Sequence, residues 1–460
     1  MLDEVRTLVV VPSISFPPGV LAKIAGVRWY EERLLVAALL LRRPDLRMVF
    51  VTSSRIDPAT VAYYLRFVPD PADARRRLRL FHVGDPSIGS LTGKLLGRPD
   101  LLDDIRSAAG DGGGGWLLPF NVTALEQRLS VAVGLPLYGP HPDLVWLGSK
   151  TGAREVARRA GVAVLDGRER LFSVEEIAGA VEEIRGRRAG LRAVMIKLNN
   201  GFSGQGNAIV DVRHGPRPVV ELPTVFCGTG ESWPSFARKV AEEGAIVEEV
   251  LPSDGAGSPS VQLHISPGGE VAVVSTHDQI LGGPGNKVYV GCRFPAHPSY
   301  RGAIQEEARK VAAVLAAEGV IGWFGIDFLV ARAGDGRPGA VFVSEINLRL
   351  GGTTHPFWMA RLATGGAYDV ATGHIHAQGR AKSYVASDNL KSARLVGRSP
   401  ADVIEAVDRA GLGFDPATRT GTTLHLLGPL SELGKMGATS IADDPAQAEE
   451  MYREVEKLLL

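Results

Sequence analysis

Two carboxylates, an amide and a guanidinium are spaced so that they share one face of a strand pair. Residues 341–349 alternate apolar and polar side chains, which places Glu345, Asn347 and Arg349 on the same face. Asp327 lies in the preceding β-rich run, and one hairpin register brings it beside them. These oxygen ligands suit Mg²⁺ and suit zinc poorly, while a neighbouring guanidinium suits a phosphate or an oxyanion. The alternative is a solvated strand face, which the run Gly-Gly-Thr-Thr-His-Pro directly afterwards argues against.

A glycine-rich turn joins two apolar runs within residues 194–210, and Lys197 lies near the end of the first run. Exposed backbone N–H groups in such a turn predict an anion site, with a phosphate as the expected ligand. A Walker loop and a dinucleotide-binding turn both require a helix after the glycines. Here a second β-run follows, so both are disfavoured. A flexible surface hairpin is the alternative for the glycines alone.

A third apolar run ends in two acids, Glu248 and Glu249, followed by Val250. The pattern is typical of an edge strand that turns to solvent. It also fits a hinge at which backbone groups and a carboxylate meet the exocyclic amine of adenine. On its own the pattern favours the edge strand.

The elements that position these residues change character along the chain. Residues 1–145 alternate short β-rich runs with helical patterns, which predicts a small, mostly parallel α/β sheet. No G-x-G-x-x-G follows the first run, so an NAD-dependent dehydrogenase is disfavoured. A helix headed by Ser149 and ending at Gly161 then leads to a predicted strand over residues 162–165. A further predicted strand, residues 271–275, is followed by polar residues that could line an acid pocket: His277, Asp278 and Gln279. A core histidine and a loop of ordinary turn residues are the alternatives for this segment.

The last part of the chain predicts a compact α+β unit. Its predicted elements are a strand at residues 393–396, a helix at 399–410, a strand at 422–427 and a helix after Pro445. Just before this unit, His355 is predicted to cap a helix that ends at Ala363.

Composition excludes several classes of protein. The 460 residues carry 51 Lys+Arg and 51 Asp+Glu, so a dominant electrostatic contact with nucleic acid or an anionic membrane is not expected. Two cysteines, Cys227 and Cys292, exclude a disulfide framework and are interpreted as buried and unreactive. The acidic N-terminus and the short apolar stretch at residues 34–41 predict neither a secretory signal nor a membrane span, so a cytoplasmic protein is expected.

The order of these parts resembles the ATP-grasp superfamily, in which two β-rich lobes hold Mg-ATP and transfer its γ-phosphate to a carboxylate. The segment 345–356 and the extra C-terminal unit are most similar to the peptide ligase group known from pheganomycin biosynthesis. The resemblance implies an α/β and α+β fold class. It implies a Rossmann-like pre-ATP-grasp domain over residues 1–145, ATP-grasp lobes over 146–380 and a small C-terminal α+β domain over 381–460.

The resemblance also implies roles for individual residues. The implied nucleotide-binding residues are Lys150, Lys197, Gly201, Ser203, Gly204, Gln205, Gly206, Glu248, Glu249 and Val250. The implied metal ligands are Asp327, Glu345 and Asn347, and the implied catalytic residues are Arg349 and Lys197. Apart from the resemblance, Arg293, which follows Cys292, is a catalytic candidate that could pair with a substrate carboxylate. Where many members carry a glutamate for the ribose, this chain offers Ser258, Ser260 and Gln262.

The implied activity is that of an ATP-dependent peptide ligase that uses ATP and Mg²⁺. It would join an amino-acid-like acid to the N-terminal amine of a peptide through an acyl phosphate, in the biosynthesis of a peptide natural product. No nucleic acid or membrane partner is expected, and a homodimer is the commonest oligomer. The alternatives are an ATP-grasp ligase or carboxylase with a non-peptide acceptor, and a nucleotide-binding regulator without turnover.

Overall fold

The computed structural model describes residues 5–110, 114–201, 206–215, 217–228, 230–251, 257–282, 288–332 and 338–460. Three of the predicted nucleotide-binding residues, Ser203, Gly204 and Gln205, lie outside the described residues. Within the described ranges, no helix is both long and apolar enough to cross a membrane.

The N-terminal part contains a four-stranded parallel sheet of order β3-β2-β1-β4, which confirms the predicted α/β sheet. Its strands are β1 (Thr7–Val11), β2 (Arg47–Thr52), β3 (Leu78–His82) and β4 (Gly115–Pro119). Leu8 and Val10 belong to one apolar core and Val9 and Val11 to another. Both faces of the sheet are therefore covered, as parallel sheets require. The covering helices are α1 (Pro18–Leu21), a 3-10 helix (Val27–Arg42), α2 (Pro58–Leu65), α3 (Pro71–Arg77), α4 (Leu91–Leu96), α5 (Pro99–Ala109) and α6 (Ala124–Val133).

The next part is built on a five-stranded antiparallel sheet of order β5-β9-β6-β7-β8. Ser149 caps the start of the helix that precedes this sheet by accepting a hydrogen bond from the backbone N–H of Gly152. The strand predicted at residues 162–165 is wrong, because within this run only Val164 pairs, with Val343. The elements are a 3-10 helix (Pro142–Gly148), α7 (Lys150–Arg159), β5 (Gly167–Leu171), α8 (Val174–Arg187), β6 (Ala193–Leu198), β7 (Asn207–Asp211), a 3-10 helix (Val219–Glu221), β8 (Thr224–Phe226), α9 (Trp233–Glu243) and β9 (Ala245–Glu249).

The rest of the chain forms a ten-stranded sheet and its helices. The strand order is β14-β13-β10-β11-β12-β17-β16-β15, and β19 pairs with both β17 and β18. Its strands are β10 (Pro259–Ile265), β11 (Val271–Gly282), β12 (Val288–Phe294), β13 (Gly322–Arg332), β14 (Pro338–Asn347), β15 (Ala367–Asp369), β16 (His374–Ala377), β17 (Arg380–Lys391), β18 (Gly421–His425) and β19 (Lys435–Ala442). The helices are α10 (Pro298–Ala317), α11 (Thr354–Thr364), a 3-10 helix (Ala393–Leu395), α12 (Pro400–Arg409), α13 (Leu430–Leu433) and α14 (Pro445–Leu459). Because β17 pairs with β12, this sheet continues across residue 381, and the domain limits stay a prediction.

Two predicted strands in this part differ from the structure. The strand expected at residues 271–275 continues to Gly282, because β11 pairs with β10 and then with β12. The strand expected at residues 393–396 is instead a short 3-10 helix. Its start is fixed by the Ser392 hydroxyl, which accepts a hydrogen bond from the backbone N–H of Arg394. A local cap therefore overrides the β-propensity of the run.

Two buried glutamates tie the Val27–Arg42 helix to other parts of the fold. The Glu31 carboxylate accepts hydrogen bonds from the backbone N–H and the hydroxyl of Ser53, at 2.6 and 2.7 Å. Glu32 accepts one from the backbone N–H of Gly428 at 2.8 Å. Burial raises the pKa of each carboxyl to about 7.

Because the pKa values of Glu31 and Glu32 are raised in the folded protein, we expect its stability to fall as the pH rises. Between the ordinary pKa of 4.5 and the folded value of about 7, the folded chain holds a proton at Glu32 that the unfolded chain has lost. The free energy of unfolding therefore falls with rising pH, by about 1.4 kcal/mol per pH unit for each such group. Glu32→Gln should show a flatter curve between pH 5 and 7 in denaturant titrations. A curve parallel to that of the parent protein would show that Glu32 does not titrate there.

Candidate active site

A cleft of about 1000 Å³ lies where the two antiparallel sheets meet the N-terminal part. Strands β6 and β9 line it from the five-stranded sheet, and β10, β13 and β14 line it from the ten-stranded sheet. The N-terminal part contributes Ile14, Tyr30, Arg33 and Phe120. Most of the predicted site residues line this one cleft, namely Lys197, Glu248, Glu249, Val250, Arg293, Asp327, Glu345, Asn347 and Arg349.

The predicted acidic set forms on the β13–β14 hairpin. Asp327 pairs across the strands with Glu345, and Gly325 with Asn347, which is the register that the sequence pattern requires. The Asn347 amide donates a hydrogen bond to Asp327 Oδ2 at 3.0 Å. Gln279, on β11, donates one to Asp327 Oδ1 at 2.9 Å. Side chains from β14 and β11 therefore hold the Asp327 carboxylate of β13 in place.

The two carboxyls have opposite pKa shifts. Burial and the neighbouring Glu345 carboxylate raise the pKa of Asp327 to about 6. Burial acts in the same direction on Glu345, but the charges of Lys150 and Lys197 outweigh it and hold the pKa of Glu345 below its ordinary value. Two adjacent carboxylates repel each other, and a divalent cation between them would remove that repulsion. The donor set of Asp327, Glu345 and Asn347 therefore fits a hard, oxygen-preferring ion such as Mg²⁺.

Two buried lysines lie against acids of the cleft. Lys150 Nζ is 3.0 Å from Glu345 Oε1. Lys197 Nζ is 2.7 Å from Glu248 Oε1 and 3.3 Å from the Ser344 hydroxyl on β14. The Lys197 contact with Ser344 crosses from the five-stranded to the ten-stranded sheet. Both cations therefore occupy the space between the sheets.

Asn199 fixes the start of α7 against the end of β6. Its backbone carbonyl accepts a hydrogen bond from the Lys150 N–H at 3.1 Å. Its side-chain oxygen accepts bonds from the N–H and the hydroxyl of Thr151, at 3.1 and 2.8 Å. These bonds hold the first turn of α7, and with it Lys150, beside the strand that carries Lys197.

The carboxylates of the predicted hinge are engaged within the fold. Glu248 pairs with Lys197 and, at 3.2 Å, with Arg154 Nη1. Glu249 Oε1 accepts hydrogen bonds from the backbone N–H of Asp166 and from Arg188, both at 3.0 Å. Adenine would therefore meet the backbone of this segment rather than its carboxylates, and the hinge stays a prediction.

The two arginines predicted to be catalytic lie in different surroundings. Arg349 is half-buried, and its Nη1 donates a hydrogen bond to Asn347 Oδ1. Burial lowers the pKa of Arg349. Arg293 is half exposed at the rim of the cleft, and its Nε donates to Glu449 on α14. The structure therefore joins Arg349 to the acidic set and engages Arg293 with the C-terminal helix, so a substrate contact for Arg293 stays a prediction.

Of the three polar residues on β11, only Gln279 contacts the acidic set. His277 is a buried core residue, with its Nε2 2.7 Å from the Tyr384 hydroxyl, and burial lowers the pKa of His277 to about 3. Asp278 accepts hydrogen bonds from the Tyr300 hydroxyl at 2.7 Å and from the His297 backbone N–H at 2.9 Å. His277 and Gln279 fall on the same face of the strand, but His277 is fully buried against Tyr384, whereas the amide of Gln279 reaches Asp327.

A buried polar cluster at one end of the cleft was not predicted from the sequence. The predicted helix cap at His355 is wrong, because Thr353 occupies the N-cap position of α11. His355 Nε2 instead lies 3.0 Å from Asp388 Oδ1, and His425 Nε2 lies 2.8 Å from the same oxygen. Arg33 Nη1 lies 3.3 Å from Asp388 Oδ2. Burial lowers the pKa of His355 to about 4, so this imidazole is neutral at pH 7.

Two family models match the chain. The model described as "IQCH-like, ATP-grasp" matches residues 224–371, and "PGM1 C-terminal domain" matches residues 402–455. The L-propargylglycine–L-glutamate ligase of Streptantibioticus cattleyicolor is 34% identical over 477 residues, covering 100% of this chain and 95% of the relative. The IQ motif-containing protein H of Danio rerio is 20% identical over 334 residues, covering 64% of this chain and 31% of that protein.

Solved structures share the fold. Biotin carboxylase from Campylobacter jejuni matches with a TM-score of 0.60 at 15% identity, covering 99% of this chain and 92% of that chain. The N5-carboxyaminoimidazole synthetase from Staphylococcus aureus matches with a TM-score of 0.54 at 12% identity, covering 98% of this chain and 97% of that chain.

Proposed function

Because the chain belongs to the ATP-grasp superfamily of ATP-dependent ligases, we propose that it joins an amino-acid-like carboxylic acid to the amine of an amino acid or peptide. ADP and phosphate are the other products. The predictions of the superfamily, of the fold and of an ATP-dependent ligase are confirmed. The identity of the two substrates is part of the proposal, as are a cytoplasmic location and a homodimer.

One observation carries the proposal: two buried lysines lie beside a half-buried set of oxygen ligands that lines a single cleft. Asp327, Glu345 and Asn347 would hold Mg²⁺, which supplies charge neutralisation for the transferring phosphate. Lys150 and Lys197 supply two further positive charges that do not depend on the metal. Burying an ion pair costs free energy. This density of charge is therefore expected where the cleft binds a charged ligand such as a nucleotide.

The lysines would change partners when the nucleotide binds. In the structure, Lys150 pairs with Glu345 and Lys197 pairs with Glu248. Phosphate oxygens would replace these carboxylates, which leaves Glu345 able to serve as a metal ligand. Glu248 keeps its pair with Arg154, so releasing Lys197 does not leave a buried carboxylate unpaired.

The reaction then needs little covalent chemistry from the protein. A carboxylate oxygen of the acid attacks the γ-phosphorus, and the bond from that phosphorus to the ADP oxygen breaks. The amine attacks the carbonyl carbon of the acyl phosphate, phosphate leaves, and the nitrogen loses a proton. Arg349 would hold the oxyanion that forms at that carbon. Water must be kept from the acyl phosphate during the reaction, because it would otherwise hydrolyse this intermediate.

Trapping with hydroxylamine tests this function. The protein is incubated with Mg-ATP, hydroxylamine and a panel of amino acids, and both the nucleotide and the hydroxamate are identified. We expect ADP together with the hydroxamate of one acid or a few related acids. AMP with pyrophosphate would mean that the acid is adenylated, and the proposed reaction would be wrong.

A further inference from the structure

Arg33 is a buried cation of the cleft that the proposed reaction does not use. It lies on the Val27–Arg42 helix, is 8% exposed and lines the cleft. Its guanidinium carbon lies 4.1 Å from the centre of the Tyr30 ring and 5.7 Å from that of Phe120. These rings stabilise the cation but accept no N–H···O bond.

The guanidinium of Arg33 carries five N–H donors, and its polar contacts use fewer than five. Nη1 lies 3.3 Å from Asp388 Oδ2, which is a long contact for a charged pair. Among the residues that the structure describes, no acceptor meets its Nε–H. Asp388 in turn is shared with His355 and His425, whose Nε2 atoms approach its other carboxylate oxygen. The cluster therefore holds Arg33 in place while leaving much of its donor capacity unused.

A second guanidinium faces the same cleft. Arg349, which follows β14, lines this cleft together with Arg33. In the proposed reaction Glu345 and Asp327 are committed to the metal. The cleft therefore presents two guanidinium groups to a bound substrate.

We propose that Arg33, which lines the same cleft as Arg349, binds a second carboxylate of a substrate, one that is not phosphorylated. The inference rests on the proposed function and adds a substrate class to it: one of the two substrates carries a further free carboxylate. The planar fork of a guanidinium matches a carboxylate in shape and charge, and the Nε–H of Arg33 is available to it. Asp388, His355 and His425 act as positioning residues for Arg33.

Matched substrate pairs test the inference on the unmodified protein. Acids that carry a second carboxylate are compared with the same acids bearing a carboxamide there, and amine substrates with a free carboxylate are compared with their carboxamides. We expect kcat/KM to fall by about 10- to 100-fold for the carboxamide in one of the two sets, because a charge-assisted hydrogen-bond pair is lost. The set that responds identifies the substrate. Equal values in both sets would overturn the inference.

Substitutions of Arg33 test whether this residue causes the preference for the carboxylate substrate over the carboxamide. In Arg33→Gln the ratio of kcat/KM between carboxylate and carboxamide should fall close to one, and in Arg33→Lys it should be intermediate. Arg66 is the matched control, since it lies 4.1 Å from the centre of the Tyr63 ring and 2.8 Å from Asp408 on a different surface. Arg66→Gln should keep the full ratio.

The outcomes separate this inference from the proposed function. If Arg33→Gln does not fold, the ratio for Arg33→Lys and the substrate pairs on the unmodified protein still decide the matter. An unchanged ratio in the Arg33 variants would overturn the role of Arg33, even where ADP and hydroxamate are formed. Failure to form ADP and hydroxamate in the unmodified protein would instead refute the ligase reaction itself.

Discussion

Glu345→Gln is expected to lower kcat for ATP-dependent amide formation by about 10³-fold or more while the fold is retained. The Glu345 carboxylate lies 3.0 Å from Lys150 Nζ and pairs across the strands with Asp327. Glutamine keeps the size of the side chain and one oxygen that can accept a hydrogen bond from Lys150. It loses the charge that a divalent ion requires, and with it the charge neutralisation at the transferring phosphate.

The measurement is the steady-state release of ADP, with circular dichroism and thermal unfolding as checks on folding. Glu318→Gln is the matched control, because the Glu318 carboxylate pairs with Arg159 on the surface, away from the cleft. It should keep the activity of the parent protein. If Glu345→Gln kept activity within about threefold of the parent, the metal assignment would be refuted.

Lys197→Met is expected to lower kcat/KM for ATP by about 10²- to 10³-fold, which is the usual cost of losing one preorganised electrostatic contact. Lys197 is buried between the two sheets, 2.7 Å from Glu248, and methionine fills a similar volume without charge. The fold should survive the change because Glu248 keeps Arg154 at 3.2 Å. The loss should therefore come from the missing phosphate contact and not from unfolding.

Kinetics with each substrate varied in turn test this assignment. The KM for ATP should rise or kcat should fall, while the KM for the acid should change by less than about threefold. Lys239→Met removes a lysine that pairs with Glu231 outside the cleft, and it should leave all constants unchanged. A defect confined to the KM for the acid would place Lys197 in the acid pocket instead.

The local patterns of the sequence predicted the central part of the site. Asp327, Glu345 and Asn347 follow from the alternation of side chains along a strand, and the hairpin register then brings them together. Lys197 follows from its place at the end of a β-run before the glycines. Such features need only short-range periodicity, which the sequence displays directly.

The parts that could not be predicted depend on contacts between distant segments. Arg33, His355, Asp388 and His425 come from a helix of the N-terminal part, from α11 and from two strands of the ten-stranded sheet. No spacing in the sequence links them. The predicted strand ended at residue 275, before Gln279, because the partners of β11 change along its length and the local pattern does not show this pairing.

Labelling of the acid with ¹⁸O in its carboxylate tests the central claim most directly. The labelled acid, the amine and Mg-ATP are allowed to react, and the phosphate and nucleotide products are analysed by mass spectrometry. Transfer of one ¹⁸O from the acid to inorganic phosphate is predicted, because the attacking oxygen leaves with the phosphorus when the amide forms. Label recovered in AMP, or amide formation with no label in phosphate, would contradict an acyl-phosphate reaction in this cleft.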